Sequence, residues 1–420
     1  MTPAGRVVIG LFLALAGSPV IAQEARVWRP AWTAAAAPPR FDGPPEAPLI
    51  YVDQTIRQDI RIGVAAEAVR LRISNEVGPE PLRLASLTAA GPDGRALRVT
   101  FGGVEDIIVP PGVALLSDPL PIELKRSDTL TVSLYAAGPA RGVVRRVAVR
   151  LGEGEVAVAA DAPLERRQSF VSAVFALTEE PPAVIVALGD SITEGGSSTL
   201  GAEADWPAVL NRRLEAACPG AFVVVNAGIS GNQVVRDGRS PNVRARLDRD
   251  VLSLPGVTHV ILIEGINDIR HDGNPANVGR TPEEVIASYR QVIARLHLHD
   301  IKVVGGTLTP FGGSERFDAR SESARQTINA FIRDSGEFDA VIDFDLATRD
   351  LDHPEAMRAD LSGNDRLHPN DKGYDAMGRA IDLGTFVSPA PACDWLPTSS
   401  NGADGPDQHQ ADRAPSRGRR

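Results

Sequence analysis

The stretch Ala183-Val184-Ile185-Val186-Ala187-Leu188-Gly189-Asp190-Ser191 decides the fold of the second half of the chain. Its first six residues form an uninterrupted apolar run, typical of a parallel strand that is covered on both faces. Gly189 ends the run, and Ser191 then stands at the carboxyl end of the predicted strand. A strand that stops at a small turn before a serine is a common way to expose a nucleophile. Because Gly-Asp-Ser is frequent in loops, this interpretation needs an oxyanion hole and a base elsewhere in the chain.

Strands and helices alternate from this point onward. Strands are predicted near residues 183–188, 221–226, 257–263, 301–307 and 340–343, and helices over 206–217, 282–298, 324–334 and 372–383. Such alternation predicts a parallel sheet with helices on both faces, and its active site is expected outside the carboxyl ends of the strands. Ser191 lies at such an end.

The first half of the chain has a different pattern. Short runs of nearly alternating polarity, such as Val69–Ile73 and Thr129–Leu134, are separated by turns rich in glycine and proline. Short strands at this spacing predict an antiparallel sandwich. We therefore expect a jelly-roll-like β-sandwich domain over 23–180 and an α/β domain over 181–392, which meet at Pro181-Pro182.

Both ends of the chain are expected to lie outside these two domains. Arg6, the apolar run Val7–Ala16 and the residues Val20-Ile21-Ala22 predict a signal peptide over 1–22, with cleavage after Ala22. Residues 393–420 are polar and aperiodic, which predicts a disordered tail. The mature protein is therefore expected to be secreted or periplasmic, without a membrane-spanning segment.

Charge and cysteine content restrict the partners. The 420 residues carry a formal net charge of −10, which argues against nucleic-acid binding because that function needs a basic face. The two cysteines, Cys218 and Cys393, either pair or remain two free thiols in an exported protein. We find no metal-ligand spacing and no glycine-rich phosphate loop, so no metal and no cofactor are expected.

Two further strand ends carry candidate oxyanion donors. Gly231, in Ala227-Gly228-Ile229-Ser230-Gly231-Asn232, would let a backbone N–H approach a ligand closely. Asn267, in Glu264-Gly265-Ile266-Asn267-Asp268, would offer a side-chain amide. Taken alone, each also fits an ordinary glycine turn or Asx turn.

An acid and a histidine three residues apart occur twice near the end of the second domain. Asp365-Arg366-Leu367-His368-Pro369 and Asp350-Leu351-Asp352-His353-Pro354 share the same spacing, which allows the acid to orient the imidazole. We prefer His368 because the residues after it, 370–374, open the last amphipathic helix and would anchor its loop against the sheet.

Four blocks of the chain, in this order, resemble those of the SGNH (GDSL) hydrolase superfamily over about residues 183–385: Gly189-Asp190-Ser191, Gly231, Gly265-Ile266-Asn267-Asp268 and Asp365-x-x-His368. The resemblance implies Ser191 as nucleophile, His368 as base and Asp365 as the acid that orients it. It also implies an oxyanion hole made by the backbone N–H groups of Ser191 and Gly231 and by the side chain of Asn267. The implied fold is a three-layer α/β/α sandwich with flavodoxin-like strand order. The whole chain resembles the two-domain secreted members, in which a β-sandwich precedes the hydrolase.

These patterns predict a serine esterase that acts on a small-molecule or polysaccharide ester, with acetyl groups on carbohydrate favoured. A lipase, lysophospholipase or arylesterase with the same triad, and an O-acyltransferase, remain alternatives. Asp190 is expected to brace the turn before Ser191, and Trp206 to pack against the sheet. Arg236 and Arg239 either line the cleft or lie in a solvated loop.

Overall fold

The computed structural model describes residues 26–38, 50–270 and 279–386. The predicted signal peptide over 1–22 and the predicted disordered tail over 393–420 lie outside the described residues, as does Cys393. Within the described ranges, every helix is too short or too polar to cross a lipid bilayer.

Two antiparallel sheets build the first half of the chain. Their strands, together with two short pairs, are β1 (Val27–Thr33), β2 (Ile50–Tyr51), β3 (Gln54–Arg61), β4 (Ala68–Ser74), β5 (Leu82–Leu84), β6 (Ser86–Ala90), β7 (Ala96–Arg98), β8 (Ile107–Val109), β9 (Ala114–Leu116), β10 (Thr129–Ala136), β11 (Ala140–Arg141), β12 (Arg146–Glu153), β13 (Glu165–Gln168) and β14 (Val171–Thr178). One sheet has the order β1-β14-β4-β9, and the other has the order β13-β12-β3-β10-β6-β7. Along β10, buried Leu130, Val132 and Leu134 alternate with more exposed residues, as a half-buried strand requires. The predicted antiparallel β-sandwich is confirmed.

One parallel sheet with helices builds the second half. Its elements are β15 (Ala183–Gly189), α1 (Ser191–Glu194), α2 (Trp206–Ala217), β16 (Phe222–Gly228), α3 (Val243–Leu247), a π-helical turn (Asp248–Leu252), β17 (Val257–Ile263), α4 (Ile266–Ile269), α5 (Pro282–His297), β18 (Lys302–Gly306), α6 (Ala319–Asp334), β19 (Ala340–Ile342), α7 (Phe344–Thr348), α8 (Asp371–Ala380) and a 3₁₀ turn (Leu383–Thr385). The strand order is β16-β15-β17-β18-β19. The first strand therefore lies between the second and third, which is the flavodoxin-like order.

The central strand β15 is covered on both faces. Val184, Val186 and Leu188 belong to the apolar core that includes residues of α5 and α6. Ile185 and Ala187 belong to a second core that includes residues of α2 and α8. The alternation of these side chains between two cores confirms the predicted three-layer arrangement.

Helix α6 begins five residues before the predicted start at 324. Its first turn is polar and lacks the apolar periodicity from which the helix was predicted. The side chain of Asp318 accepts a hydrogen bond from the backbone N–H of Ser321, and the Ser321 hydroxyl bonds back to the Asp318 backbone. This capping box stabilises a helix start that apolar spacing alone does not show.

The two halves of the chain are in direct contact. The Thr33 hydroxyl donates to the carbonyl of Asn226 at 3.1 Å, and the Arg166 guanidinium donates to the carbonyl of Ser198 at 3.0 Å. The larger apolar core also contains residues of both halves. The sandwich therefore packs beside the segment that follows Ser191.

Trp206 and Cys218, two residues noted in the sequence, are both buried in the second half of the chain. Trp206 is fully buried and its ring lies 5.5 Å from that of Phe344, which fits packing against the sheet. Cys218 is fully buried and disulfide-bonded. The other cysteine of the chain, Cys393, lies outside the described residues.

A buried ion pair between α6 and α7 gives a test of this packing. Arg325 and Asp345 are both fully buried and lie 2.7 Å apart. Asp345 also accepts from Arg333 at 2.6 Å, whereas Arg325 keeps a second partner in Glu322 at 2.7 Å. Asp345→Ala should therefore lower the free energy of unfolding by about 3 kcal/mol, the lower end of the range for breaking a buried pair. The matched control is Asp360→Ala, which breaks the exposed Arg358–Asp360 pair and should cost less than about 1 kcal/mol. Urea denaturation measures both, and equal losses would contradict this account.

Candidate active site

Ser191 is held by the turn that follows β15. Asp190 caps helix α1, and its Oδ1 accepts a hydrogen bond from the backbone N–H of Ile192 at 2.9 Å. Gly189 leaves no room for a side chain, because a Cβ there would lie 2.3 Å from both the Ile263 carbonyl oxygen and the Thr193 hydroxyl. The turn is therefore tightly packed and holds the serine at the carboxyl end of β15.

The structure brings Ser191, His368 and Asp365 into one hydrogen-bonded chain. The Nε2 of His368 lies 2.7 Å from the Ser191 hydroxyl oxygen, and its Nδ1 lies 2.5 Å from Asp365 Oδ2. Because the carboxylate accepts from Nδ1–H, the tautomer with a free Nε2 lone pair is favoured. Burial alone would raise the pKa of Asp365, but the hydrogen bonds from His368 outweigh it and hold that pKa well below its usual range.

The competing pair Asp350–His353 does not reach this site. The backbone N–H of His353 donates to Asp350 Oδ1 at 3.1 Å, as the N–H of His368 does to Asp365 at 3.0 Å. The two turns are therefore locally alike. The His353 side chain is 75% exposed, however, and its Nδ1 lies 3.9 Å from Glu355.

The three candidate oxyanion donors share one cavity with His368. Ser191, Gly231 and Asn267 line a cavity of about 640 Å³. Gly231 has a φ of 76°, a conformation that favours glycine. The Nδ2 of Asn267 donates to Asp190 Oδ2 at 3.2 Å and to the Asn232 carbonyl at 3.1 Å. Both bonds are at the long end of the usual range, so the amide is positioned but weakly held.

Asp190 touches both sides of the site. Its two oxygens accept from Ile192 beside the serine and from Asn267 across the cavity. Burial raises the pKa of Asp190 to about 6, although the Ile192 N–H favours the charged form. Arg236 and Arg239, for which the sequence left two interpretations, both line the same cavity.

Sequence reasoning missed a buried arginine behind these loops. Arg246 is 1% exposed, and its guanidinium donates to the carbonyls of Gly189 at 3.0 Å and Ala227 at 2.7 Å. It also donates to the side chains of Asn232 and Asp250, each at 2.9 Å. The residues around Arg246 are rich in arginine and form a helix, which is typical of a solvated helix face. The neighbouring sequence therefore does not show that this side chain points inward.

Two more buried carboxyl groups lie near the site. Glu264 is fully buried, and neither carboxyl oxygen has a hydrogen-bond partner among the described residues. Burial, and next the charge of Asp190, raise its pKa well above the usual value, which favours the neutral acid. Asp268 accepts from the backbone N–H groups of Val234 and Val235, yet burial raises its pKa to about 7.

The family of the second domain follows from a comparison with family models. Residues 187–376 match the model of the GDSL-like Lipase/Acylhydrolase family. This part of the chain is a GDSL-like hydrolase domain. By family it is a carboxylic ester hydrolase, and the N-terminal β-rich domain precedes it. A search of curated proteins gave no match.

Solved structures similar to the GDSL-like domain cover about half of this chain. An acetyl xylan esterase, AlAXEase, is 24% identical with a TM-score of 0.37, over 47% of this chain and 96% of that protein. A GDSL-like lipase from Bacteroides thetaiotaomicron is 18% identical with a TM-score of 0.36, over 49% and 90%. A carbohydrate acetylesterase family member from Sinorhizobium meliloti is 17% identical with a TM-score of 0.38, over 47% and 94%.

Among the residues that the structure describes, no group of three His, Cys, Asp or Glu side chains is arranged to hold a metal ion. The carboxylates beside the cavity contact backbone amides, the Asn267 side chain or the His368 imidazole instead.

The raised pKa of Asp268 predicts a pH-dependent contribution to stability. The pKa is about 7 in the folded protein and about 3.9 in an unfolded chain, so the folded state retains a proton over this interval. The contribution is fully present below the unfolded value and is lost as pH rises through the folded value. Asn does not titrate, so the free energy of unfolding of wild type minus Asp268→Asn should decrease as pH rises from about 4 to about 7.

Urea denaturation across this pH interval measures the effect. The exposed Asp106→Asn serves as the control: the hydrogen bond from Arg83 lowers the pKa of Asp106, so its difference should not fall as pH rises. A constant or increasing difference for Asp268→Asn would show that Asp268 is ionised throughout the interval.

Proposed function

We propose that this chain is a secreted or periplasmic serine esterase that removes small acyl groups, above all acetyl, from carbohydrate. The observation that carries the proposal is the continuous contact from Ser191 through His368 to Asp365, with separations of 2.7 and 2.5 Å. A nucleophile within reach of a base that a third group orients is the arrangement required for acyl transfer through a covalent intermediate.

The proposed reaction has two half-reactions. In the first, the Ser191 oxygen attacks the ester carbonyl carbon while His368 Nε2 accepts its proton. The tetrahedral intermediate then breaks its bond to the alcohol oxygen, and His368 returns the proton to the departing alcohol. In the second, a water oxygen attacks the acyl-serine, His368 takes a proton from that water, and the acid leaves as the serine hydroxyl is restored.

The oxyanion of each intermediate would be held by three N–H groups. The donors are the backbone N–H groups of Ser191 and Gly231 and the Nδ2 of Asn267. Support comes from the shared cavity and from the position of Asn267, whose amide already faces the loop after Ser230. An oxyanion is a stronger acceptor than a neutral carbonyl, so it would displace one of the long Asn267 bonds.

The cavity is polar, which favours a small acyl group on a polar alcohol. Leu367 is the single large apolar residue among its described lining residues. A long acyl chain would find little apolar surface to cover, so the lining disfavours a lipase. Secretion rests on the apolar N-terminal segment alone, which lies outside the described residues.

Loss of the nucleophile is the first test of the mechanism. Ser191→Ala should reduce turnover by ~10⁴–10⁶, because the members of a triad act as one unit. A fluorophosphonate probe should label Ser191 and no other serine, which peptide mass spectrometry checks. Activity close to wild type in this variant would overturn the mechanism.

A panel of substrates tests the acyl preference. Esters of 4-nitrophenol with acetate, butyrate and octanoate, with and without a sugar alcohol as acceptor, are compared by kcat/KM. We expect acetate to be preferred and free acid to be the product. Preference for octanoate would identify a lipase, and acyl sugar as the main product would identify an O-acyltransferase.

The two acid–histidine pairs provide a matched comparison of the base. His368→Ala should be as damaging as Ser191→Ala, since the proton of the serine then has no acceptor. His353→Ala, in a turn of the same local geometry, should retain most activity because its side chain is exposed and does not line the cavity that holds Ser191. Initial rates on 4-nitrophenyl acetate measure both. An active His368→Ala together with an inactive His353→Ala would assign the base to the other pair.

A further inference from the structure

Arginine side chains surround the catalytic cavity. Arg236, Arg239, Arg270 and Arg316 line it together with Ser191 and His368. The acidic residues of the lining are Asp237, Glu315 and Asp365. Four arginines against three acids leave the formal charge of the lining positive. The chain as a whole has a net charge of −10, so the positive charge is concentrated at this cavity and would attract an anionic ligand.

Arg270 and Arg316 are the two arginines whose surroundings are most informative. Arg270 is half-buried, and its guanidinium lies 5.9 Å from the ring centre of Phe311. Its Nε is buried and has no hydrogen-bond partner among the described residues. Within the same residues, neither Arg270 nor Arg316 forms an ion pair with a carboxylate. Two guanidinium groups therefore face the cavity with donors available.

The two charges lie close enough to repel each other. Burial, and next the positive charge of Arg316, lower the pKa of Arg270, while the more weakly felt charges of Asp190, Asp365 and Glu315 oppose this shift. Holding two like charges beside a partly buried cavity is unfavourable unless an anion is bound between them. A planar carboxylate matches the paired N–H groups of a guanidinium.

We propose that Arg270 and Arg316 bind a carboxylate carried by the alcohol part of the ester, so that the substrate is an O-acylated sugar acid. This inference rests on the proposed esterase function. A sugar acid such as a uronic acid combines the polar hydroxyls that suit the cavity with a negative charge beside the acylated oxygen. The scissile ester would lie at Ser191 while the carboxylate lies on the arginine side of the cavity.

Two esters that differ by one charge test this preference. 4-Acetoxybenzoate carries a carboxylate on the alcohol part, and 4-acetoxybenzamide is its neutral isostere. Each kcat/KM is divided by the hydroxide-catalysed rate of the same ester, which removes the difference in intrinsic reactivity. We expect the anionic ester to be preferred about tenfold, the size of a hydrogen bond to a charged group. Added salt should reduce the preference because it screens the charges.

Substitutions assign the preference to these residues. Arg316→Gln and Arg270→Gln should each reduce the preference towards one, mainly through the KM of the anionic ester. Arg316→Lys should keep part of it, and Arg316→Glu should reverse it. The control is Arg290→Gln, which removes an exposed arginine of α5 that pairs with Glu337 and should leave the preference unchanged. Thermal melting confirms that each variant is folded.

A second pair of esters places the charge on the acyl part instead. The adipate and hexanoate monoesters of 4-nitrophenol serve this purpose. If only the adipate ester depends on the two arginines, the carboxylate belongs to the acyl group and the sugar-acid proposal is overturned. A preference that is absent in the wild type, or unchanged in both glutamine variants, also overturns it. Failure to hydrolyse any of the four esters would instead contradict the proposed esterase function.

Discussion

The hydrogen bonds of the buried Arg246 guanidinium hold together the loops of the candidate active site. The guanidinium donates to the carbonyls of Gly189 and Ala227, which lie at the carboxyl ends of the two adjacent strands β15 and β16. The Gly189 carbonyl already accepts from the backbone N–H of Ile229 at 3.0 Å, and its second lone pair can take another donor. A single planar group with five N–H donors supplies it and ties the serine turn to the loop that carries Gly231. The same guanidinium reaches Asn232, whose carbonyl accepts from Asn267.

Burying that charge requires compensation, and the surrounding acids supply part of it. Asp250 lies 2.9 Å from Arg246 and also pairs with Arg249. Burial alone would raise the pKa of Asp250, but the two arginines outweigh it and lower that pKa. No arginine of the described residues pairs directly with Asp190, Glu264 or Asp268, and burial raises the pKa of each. Clusters of acids with shifted pKa values are typical of functional sites, because such sites hold carboxyl groups in buried positions where water cannot solvate their charge.

The β-sandwich contributes to the same region from the other side. Arg166 donates to the Ser198 carbonyl just beyond the serine helix, and Arg249 of the hydrolase donates to the Ala36 carbonyl of the sandwich. The apolar core continues across this boundary, with Val223 and Val225 of β16 in the same cluster as residues of the sandwich. The sandwich is therefore part of the packing that supports β16 and the loop after it, rather than a separate appendage.

The sequence by itself determined the fold class and the order of the candidate catalytic blocks. Apolar runs of strand length alternate with segments of helical periodicity. The apolar runs are visible in the sequence because each strand of a parallel sheet is buried on both faces. The sequence also placed Ser191, Gly231 and Asn267 after strands, where the topology brings them to one edge. It did not show the start of α6 at Ala319, because a polar first turn is stabilised by capping rather than by apolar contact.

Only the tertiary structure shows which of the two histidines contacts Ser191. His353 and His368 follow an aspartate at the same distance, and each backbone N–H donates to that aspartate. The chemistry of the two turns is the same, so the preference for His368 in the sequence rested on the helix that follows it. His368 contacts Ser191 because its loop folds back over β15 from 177 residues away, whereas His353 lies exposed. The burial of Arg246 and the placement of Arg270 and Arg316 on one cavity also appear only in the tertiary structure. A charged side chain has no periodic signal that shows whether it faces solvent, core or cavity.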